Sequence, residues 1–236
     1  MSPTAASPEV LASTHRPRSP ERVVGATALA LGLSVAVQNV VVIVTGSPSY
    51  ASPMSEVLAF HTEHRAVVAV AVGLEALNVP LLLVLVVGLH GLVLRRGGAG
   101  VEGSRLALVA GSVTAAVLVL YAVLWDGVVL AADGLRAPSP VLEMVWQLHA
   151  AAFALAMPAL GATLAGAAVA AHAAGLAPSW LRPLALAGAA LLVLAGTASL
   201  AIADGSPLLL VGMPGYAVWL VWLLATGVRL VRAPSR

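Results

Sequence analysis

The fold this chain predicts is an all-α bundle of six transmembrane helices with both termini cytoplasmic, and three observations predict it. Apolar residues make up 60% of the chain and charged residues 9%, with a mean hydropathy of +1.00. An ordinary soluble domain is roughly 25% charged. Six long apolar stretches alternate with short polar connections over the 236 residues, which leaves no space between them for a soluble domain. Ten of the twelve arginines fall on the side that this alternation makes one side. That is the positive-inside bias of a multi-pass membrane protein.

In order along the chain, residues 1–22 are rich in Pro, Ser and Thr, carry Arg16, Arg18 and Arg22, and show no apolar period. They read as a disordered cytoplasmic tail. The first apolar run, 23–44, is longer than the 7–15 residues of a signal-peptide core and reads as a membrane anchor. The small residues around Ser49-Tyr50-Ala51 are the one alternative, a cleavage site. Further spans are expected over 66–94, 106–132, 142–171, 184–203 and 208–231, each long enough for a hydrocarbon core of about 30 Å at about 1.5 Å per residue. The transmembrane domain is thus 23–232, with 233–236 a short cytoplasmic end. The first three helices do not match the last three in pattern, so inverted-repeat transport has no support.

There are no cysteines, which excludes disulfides and thiolate metal sites, and all twelve basic side chains are arginine. Together with the Ala, Val and Leu richness, this looks like the codon bias of a high-GC bacterium and points to a bacterial inner membrane. The pI near 9.7 comes from those arginines, whose placement reads as orientation and not as nucleic-acid binding.

Three stretches carry a family resemblance. They are the loop from Gly46-Ser47-Pro48 to Glu63-His64-Arg65, the entry Pro178-Ser179-Trp180-Leu181-Arg182, and the close from Trp219-Leu220-Val221-Trp222 to Arg229-Leu230. Together they resemble a group of small six-helix bacterial membrane proteins classed only as a domain of unknown function. The resemblance implies a topology and carries over no catalytic residue.

The few polar residues within the spans lie between the outer boundary and the midplane. They are Gln38 and Asn39, Glu75 and Asn78, Tyr121, Trp125 and Asp126, Trp146, Gln147 and His149, then Tyr216, Trp219 and Trp222. Glu75 is ten residues past Arg65, or about 15 Å deep. The inner halves, such as 81–88, 107–116, 160–171 and 184–195, are nearly pure Leu, Val, Ala and Gly. This asymmetry predicts a polar cavity open to the outer side and closed below by an apolar plug. Within each helix the polar pairs are spaced i,i+3 or i,i+4 and share a face. Tyr216, Trp219 and Trp222 continue that spacing as a stripe that lines a path for an apolar substrate or anchors the helix at the interface.

A charged acid near a helix centre costs about 2.5–3.5 kcal/mol on insertion scales, against about 0.3–0.6 kcal/mol gained per large apolar residue. Glu75 and Asp126 are therefore expected to face inward, each protonated or partnered by His149, Asn39, Asn78 or Gln147. An interhelical hydrogen-bond network, about 0.6 kcal/mol per bond, is the alternative to a functional site. Pro80, Pro158 and Pro214 would free the carbonyls of Ala76, Ala154 and Leu210. His61 and His64, spaced i,i+3 on a short outer helix, would bind zinc only with Glu143 or His149, and the pattern is not HExxH, so no metal and no cofactor is assigned.

Two functions fit these residues. One is an outward polar and aromatic pocket that binds a lipophilic small molecule, with Asn39, Asn78, Tyr121, Trp125, Trp146, Gln147, Tyr216 and Trp219 as its wall and membrane lipid as the other partner. The other is an intramembrane acid–base enzyme of cyclase or isomerase type acting on a lipophilic substrate, with Glu75, Asp126 and His149 as the catalytic groups. Ion transport would need polar residues continuing to the cytoplasmic side, and the apolar inner halves oppose it.

Overall fold

The computed structural model describes residues 19–134 and 137–233, and no strand occurs among them. The helices are α1 (Pro20–Val44), α2 (Met54–Glu63), α3 (Arg65–Arg95), α4 (Val101–Gly134), α5 (Pro140–Ala173), α6 (Leu181–Gly196), α7 (Ser199–Ala203) and α8 (Leu209–Arg232). Five of them, α1, α3, α4, α5 and α8, are long and apolar enough to cross a membrane, and α6 is a shorter apolar helix of 16 residues. Large apolar side chains such as Val40, Ile43, Val87, Leu130 and Leu155 are more than half exposed on their outer faces. A surface of this kind fits a multi-pass membrane protein in contact with lipid.

The first helix begins before residue 23. Ser19 caps it by accepting a hydrogen bond from the Arg22 N–H at 3.4 Å, Pro20 supplies a preset φ, and Glu21 sits in the first turn. Residues 20–22 therefore belong to α1, whereas 1–18 lie outside the described residues, as do Leu135, Arg136 and 234–236. Ser139 and Pro140 start α5 in the same way, the serine accepting from the Leu142 N–H at 3.2 Å.

The expected span 184–203 is broken in two. α6 ends at Gly196, which abuts the Pro158 ring of α5 so closely that a Cβ there would overlap it. Thr197 and Ala198 leave the helix, the Thr197 hydroxyl donating to the Leu194 carbonyl at 2.6 Å, and α7 resumes at Ser199.

Six helices close a ring in which α1 packs on α3, α3 on α4, α4 on α5, α5 on α6, α6 on α8, and α8 back on α1. Neighbours run antiparallel. Glu21 at the start of α1 meets Arg96 after the end of α3, and Arg65 at the start of α3 pairs with Asp133 at the end of α4. Seven of the eight described arginines, all but Arg65, consequently gather at one end. Near this end the helices touch backbone to backbone: a Cβ on Gly166 of α5 would lie 2.6 Å from the Gly103 carbonyl of α4, and one on Gly227 of α8 would lie 3.0 Å from that of Gly25 in α1. Small residues allow such crossings where lipid offers no hydrophobic drive to association. Leu85, Leu89, Leu92, Leu164, Leu223 and Leu230 fill what space remains.

Candidate functional site

Toward the other end the ring opens around a cavity of about 270 Å³, lined by α1, α3, α4, α5, α8 and Tyr50 of the α1–α2 loop. Its wall is largely apolar: Leu31, Val35, Leu82, Leu118, Phe153 and Met157 are typical. The exposed lining residues are Ile43 of α1 and Met213 of α8. The cavity therefore reaches the surface between these two helices, near their ends away from the arginines.

The polar part of the wall belongs to α1 and α3. Glu75 and Asn78 are one turn apart on α3, and both face Gln38 of α1. The Gln38 side-chain NH₂ donates to Glu75 Oε2 at 2.8 Å and to the Ala71 carbonyl at 3.1 Å, while its Oε1 accepts from Asn78 Nδ2 at 3.0 Å. All three side chains are buried, at 7%, 6% and 3% exposure for Gln38, Glu75 and Asn78. Glu75 Oε1 and Asn78 Oδ1 have no hydrogen-bond partner. A short step along α1, Asn39 Nδ2 donates to Tyr216 Oη at 3.2 Å and to the Val35 carbonyl at 2.8 Å.

Opposite stands an aromatic wall. The Tyr121 ring stacks on His149 with centroids 4.1 Å apart, His149 stacks on Trp146 at 5.1 Å, and Tyr50 lies edge-on to His149 at 5.8 Å. Burial among these rings holds the Tyr50 hydroxyl above its ordinary titration range. Trp219 and Tyr216 of α8, with ring centroids 5.4 Å apart, complete the circle. Trp219 and its neighbour Trp222 are 6% and 2% exposed, so interfacial anchoring does not describe them.

The short helix α2 covers the aromatic wall from outside and does not itself line the cavity. It is held by His61, 1% exposed, whose two ring nitrogens are both engaged. Nδ1–H donates to the Val57 carbonyl at 2.7 Å, and Nε2 accepts the Trp125 indole N–H at 2.9 Å. This arrangement needs the neutral ring and leaves no lone pair for a metal. Among the described residues, no three His, Cys, Asp or Glu side chains converge.

Burial lowers the His61 pKa below its ordinary value of 6.5. As the pH falls through that value, the unfolded chain takes up a proton that the folded chain refuses, so stability is lost toward acid. Thermal unfolding at pH 7.5 and 5.0 should show a fall in Tm that shrinks in His61→Phe. That variant should also be less stable at pH 7.5 by about 1–3 kcal/mol, because the Trp125 N–H loses its acceptor. An equal acid-induced fall in both proteins would remove His61 from this role.

The cavity brings together Asn39, Glu75, Asn78, Tyr121, Trp125, Tyr216 and Trp219. It does not include the other expected residues. Asp126 is exposed on the outer face of α4 with Val123 and Leu130, because Trp125 takes the inward position one residue earlier. Gln147 is exposed and borders a separate surface hollow with Glu143 and Asp204. Trp146 and His149 are buried within the aromatic stack but do not line the cavity, and His149 Nδ1 is bonded to the Tyr121 carbonyl at 3.1 Å. Nor does Glu75 pair with His149; its partner is Gln38. Pro80 and Ala76 lie on the exposed face of α3, Pro214 and Leu210 are exposed on α8, and the Ala154 carbonyl packs toward Gly196 of α6, so none of Ala76, Ala154 and Leu210 lines the cavity.

Gln38 carries a signal that the sequence offers, because it continues the buried spacing Val24, Leu31, Val35 of α1. Tyr50 sits in an irregular loop, where no period points to it. Glu75 is the one carboxyl group of the lining, and the hydroxyls of Tyr50, Tyr121 and Tyr216 are its other titratable groups. Comparison with protein-family models, with curated proteins and with solved structures finds no match to this chain.

Proposed function

We propose that this chain is a bacterial inner-membrane protein whose cavity holds a lipophilic small molecule taken up sideways from the bilayer. In this reading residues 23–232 form one transmembrane domain that crosses six times, α6 and α7 together making the short crossing. Both termini are cytoplasmic, since seven of the eight described arginines lie at that end of the ring. The observation that carries the ligand reading is a buried acid and a buried amide, each with an unpartnered oxygen, in the wall of a largely apolar cavity. Leaving a buried polar group unpaired costs about 1–3 kcal/mol, a cost that a bound polar head group would remove. At about 270 Å³ the cavity is near the lower end of the 300–1,000 Å³ or so of small-molecule sites, which suits a compact guest. Entry between Ile43 and Met213, near the ends of α1 and α8 away from the arginines, opens the guest's path to the outer part of the bilayer.

Native mass spectra of the detergent-purified protein test this. An added mass of one small molecule per chain is expected in the wild type and in Asp126→Asn, and its loss is expected in Glu75→Gln. A bare protein in all three, or a mass lost in Asp126→Asn and kept in Glu75→Gln, would overturn the assignment.

A further inference from the structure

Each side-chain nitrogen and oxygen of the α1–α3 cluster can be matched to its partners, and two buried oxygens are left with none. The Gln38 NH₂ group is spent on Glu75 Oε2 and the Ala71 carbonyl, one N–H of Asn78 Nδ2 donates to Gln38 Oε1, and Asn39 Nδ2 is spent on Tyr216 and Val35. What remains without a partner is Glu75 Oε1 and Asn78 Oδ1, two acceptors one helical turn apart on α3. The lining contains no Arg, Lys or His among the described residues, so the carboxyl group has no basic partner from the protein. Tyr121, Trp125, Tyr216 and Trp219 line the same cavity, and aromatic faces attract cations, most strongly where water is excluded.

From this we infer that the ligand is a lipophilic amine, bound as its ammonium ion. The N–H groups donate to Glu75 Oε1 and Asn78 Oδ1, the positive charge neutralises the Glu75 carboxylate, and the aromatic rings close around it. The apolar body fills the space beside Leu82, Leu118 and Met157. An anion would be repelled by the Glu75 carboxylate, and a neutral hydrocarbon would leave both oxygens unpaired. The inference rests on the reading of the cavity as a ligand site and names the chemical class of its occupant.

The test uses two rigid probes of nearly equal shape, 1-adamantylamine and 1-adamantanol, titrated at pH 7 into the full-length protein in lipid nanodiscs. The amine should bind about tenfold more tightly than the alcohol, as a charge-assisted hydrogen bond is roughly twice as strong as a neutral one. Glu75→Gln should bring the amine's affinity down to the alcohol's. An alcohol that binds as tightly as the amine, or an amine affinity unmoved in Glu75→Gln, would overturn the cationic class while leaving the cavity a site for neutral lipophiles. If neither probe binds, the amine class is likewise overturned, and the mass retained in native spectra decides separately whether the cavity holds a ligand. Because the amine and alcohol are compared on the wild type, the result does not depend on the variant folding.

Discussion

Gly166→Val should abolish or severely weaken folding. A Cβ at this position meets the Gly103 carbonyl oxygen at 2.6 Å, the Ala107 amide nitrogen at 2.7 Å and the Leu106 Cβ at 3.2 Å. Two of these are backbone atoms of α4 that no rotamer change can move, so α4 and α5 must separate at their tightest crossing. Overpacking in a core costs typically about 1–3 kcal/mol, and a valine here should reach the upper end or exceed it. Gly73→Ala is the control, since nothing lies within 4 Å of a Cβ built there and the substitution gains helix propensity. Thermal unfolding in detergent, followed by tryptophan fluorescence, should show Gly73→Ala unchanged or raised and Gly166→Val sharply lowered. Equal Tm values for the two would mean that the α4–α5 crossing is not where the ring is closed.

Gln38→Leu should destabilise the bundle more than its single lost side chain suggests. Gln38 is the hub of the buried cluster, and removing it strands Glu75 Oε2 and the Asn78 amide together with the two oxygens already unpartnered. Each newly stranded group costs about 1–3 kcal/mol, whereas replacing all members of such a cluster by apolar side chains is near neutral. The expected order of Tm is therefore Gln38→Leu well below wild type, with Gln38→Leu/Glu75→Leu/Asn78→Leu recovering to it. This ordering separates a polar cluster kept for a ligand from one kept to hold α1 on α3, because interhelical bonds in membranes average only about 0.6 kcal/mol.

The bundle was legible because its signals are long-range averages: hydropathy over about 20 residues and the side on which each arginine falls. The break between α6 and α7 was not, because it falls where Gly196 lies against Pro158 of another helix, a contact that no local pattern encodes. For the site, Glu75, Asn78, Tyr121 and Trp125 were legible as polar or aromatic residues sharing helix faces. Asp126 and Gln147 were misplaced by reading polarity without phase. In α4 the inward stripe runs Ser104, Ala107, Gly111, Thr114, Leu118, Tyr121, Trp125, Val128, Ala132, a spacing that skips 126. In α5 it runs Leu142, Trp146, His149, Phe153, Ala156, Leu160, which skips 147. Applied along each span, that spacing favours Gln38 and rejects both. The roof residue Tyr50 and the His61–Trp125 bond depend on a loop and on a contact 64 positions apart, which no local pattern encodes.

The most direct measurement is the pairing of Tm with native mass for Gln38→Leu/Glu75→Leu/Asn78→Leu beside the wild type. A variant as stable as the wild type that has lost the added mass is the predicted result, and it would mean that the three side chains serve a guest and not the fold. A variant that unfolds several degrees earlier, or that keeps the mass, would contradict the account: the first would make the cluster a packing device, and the second would place the guest elsewhere in the bundle.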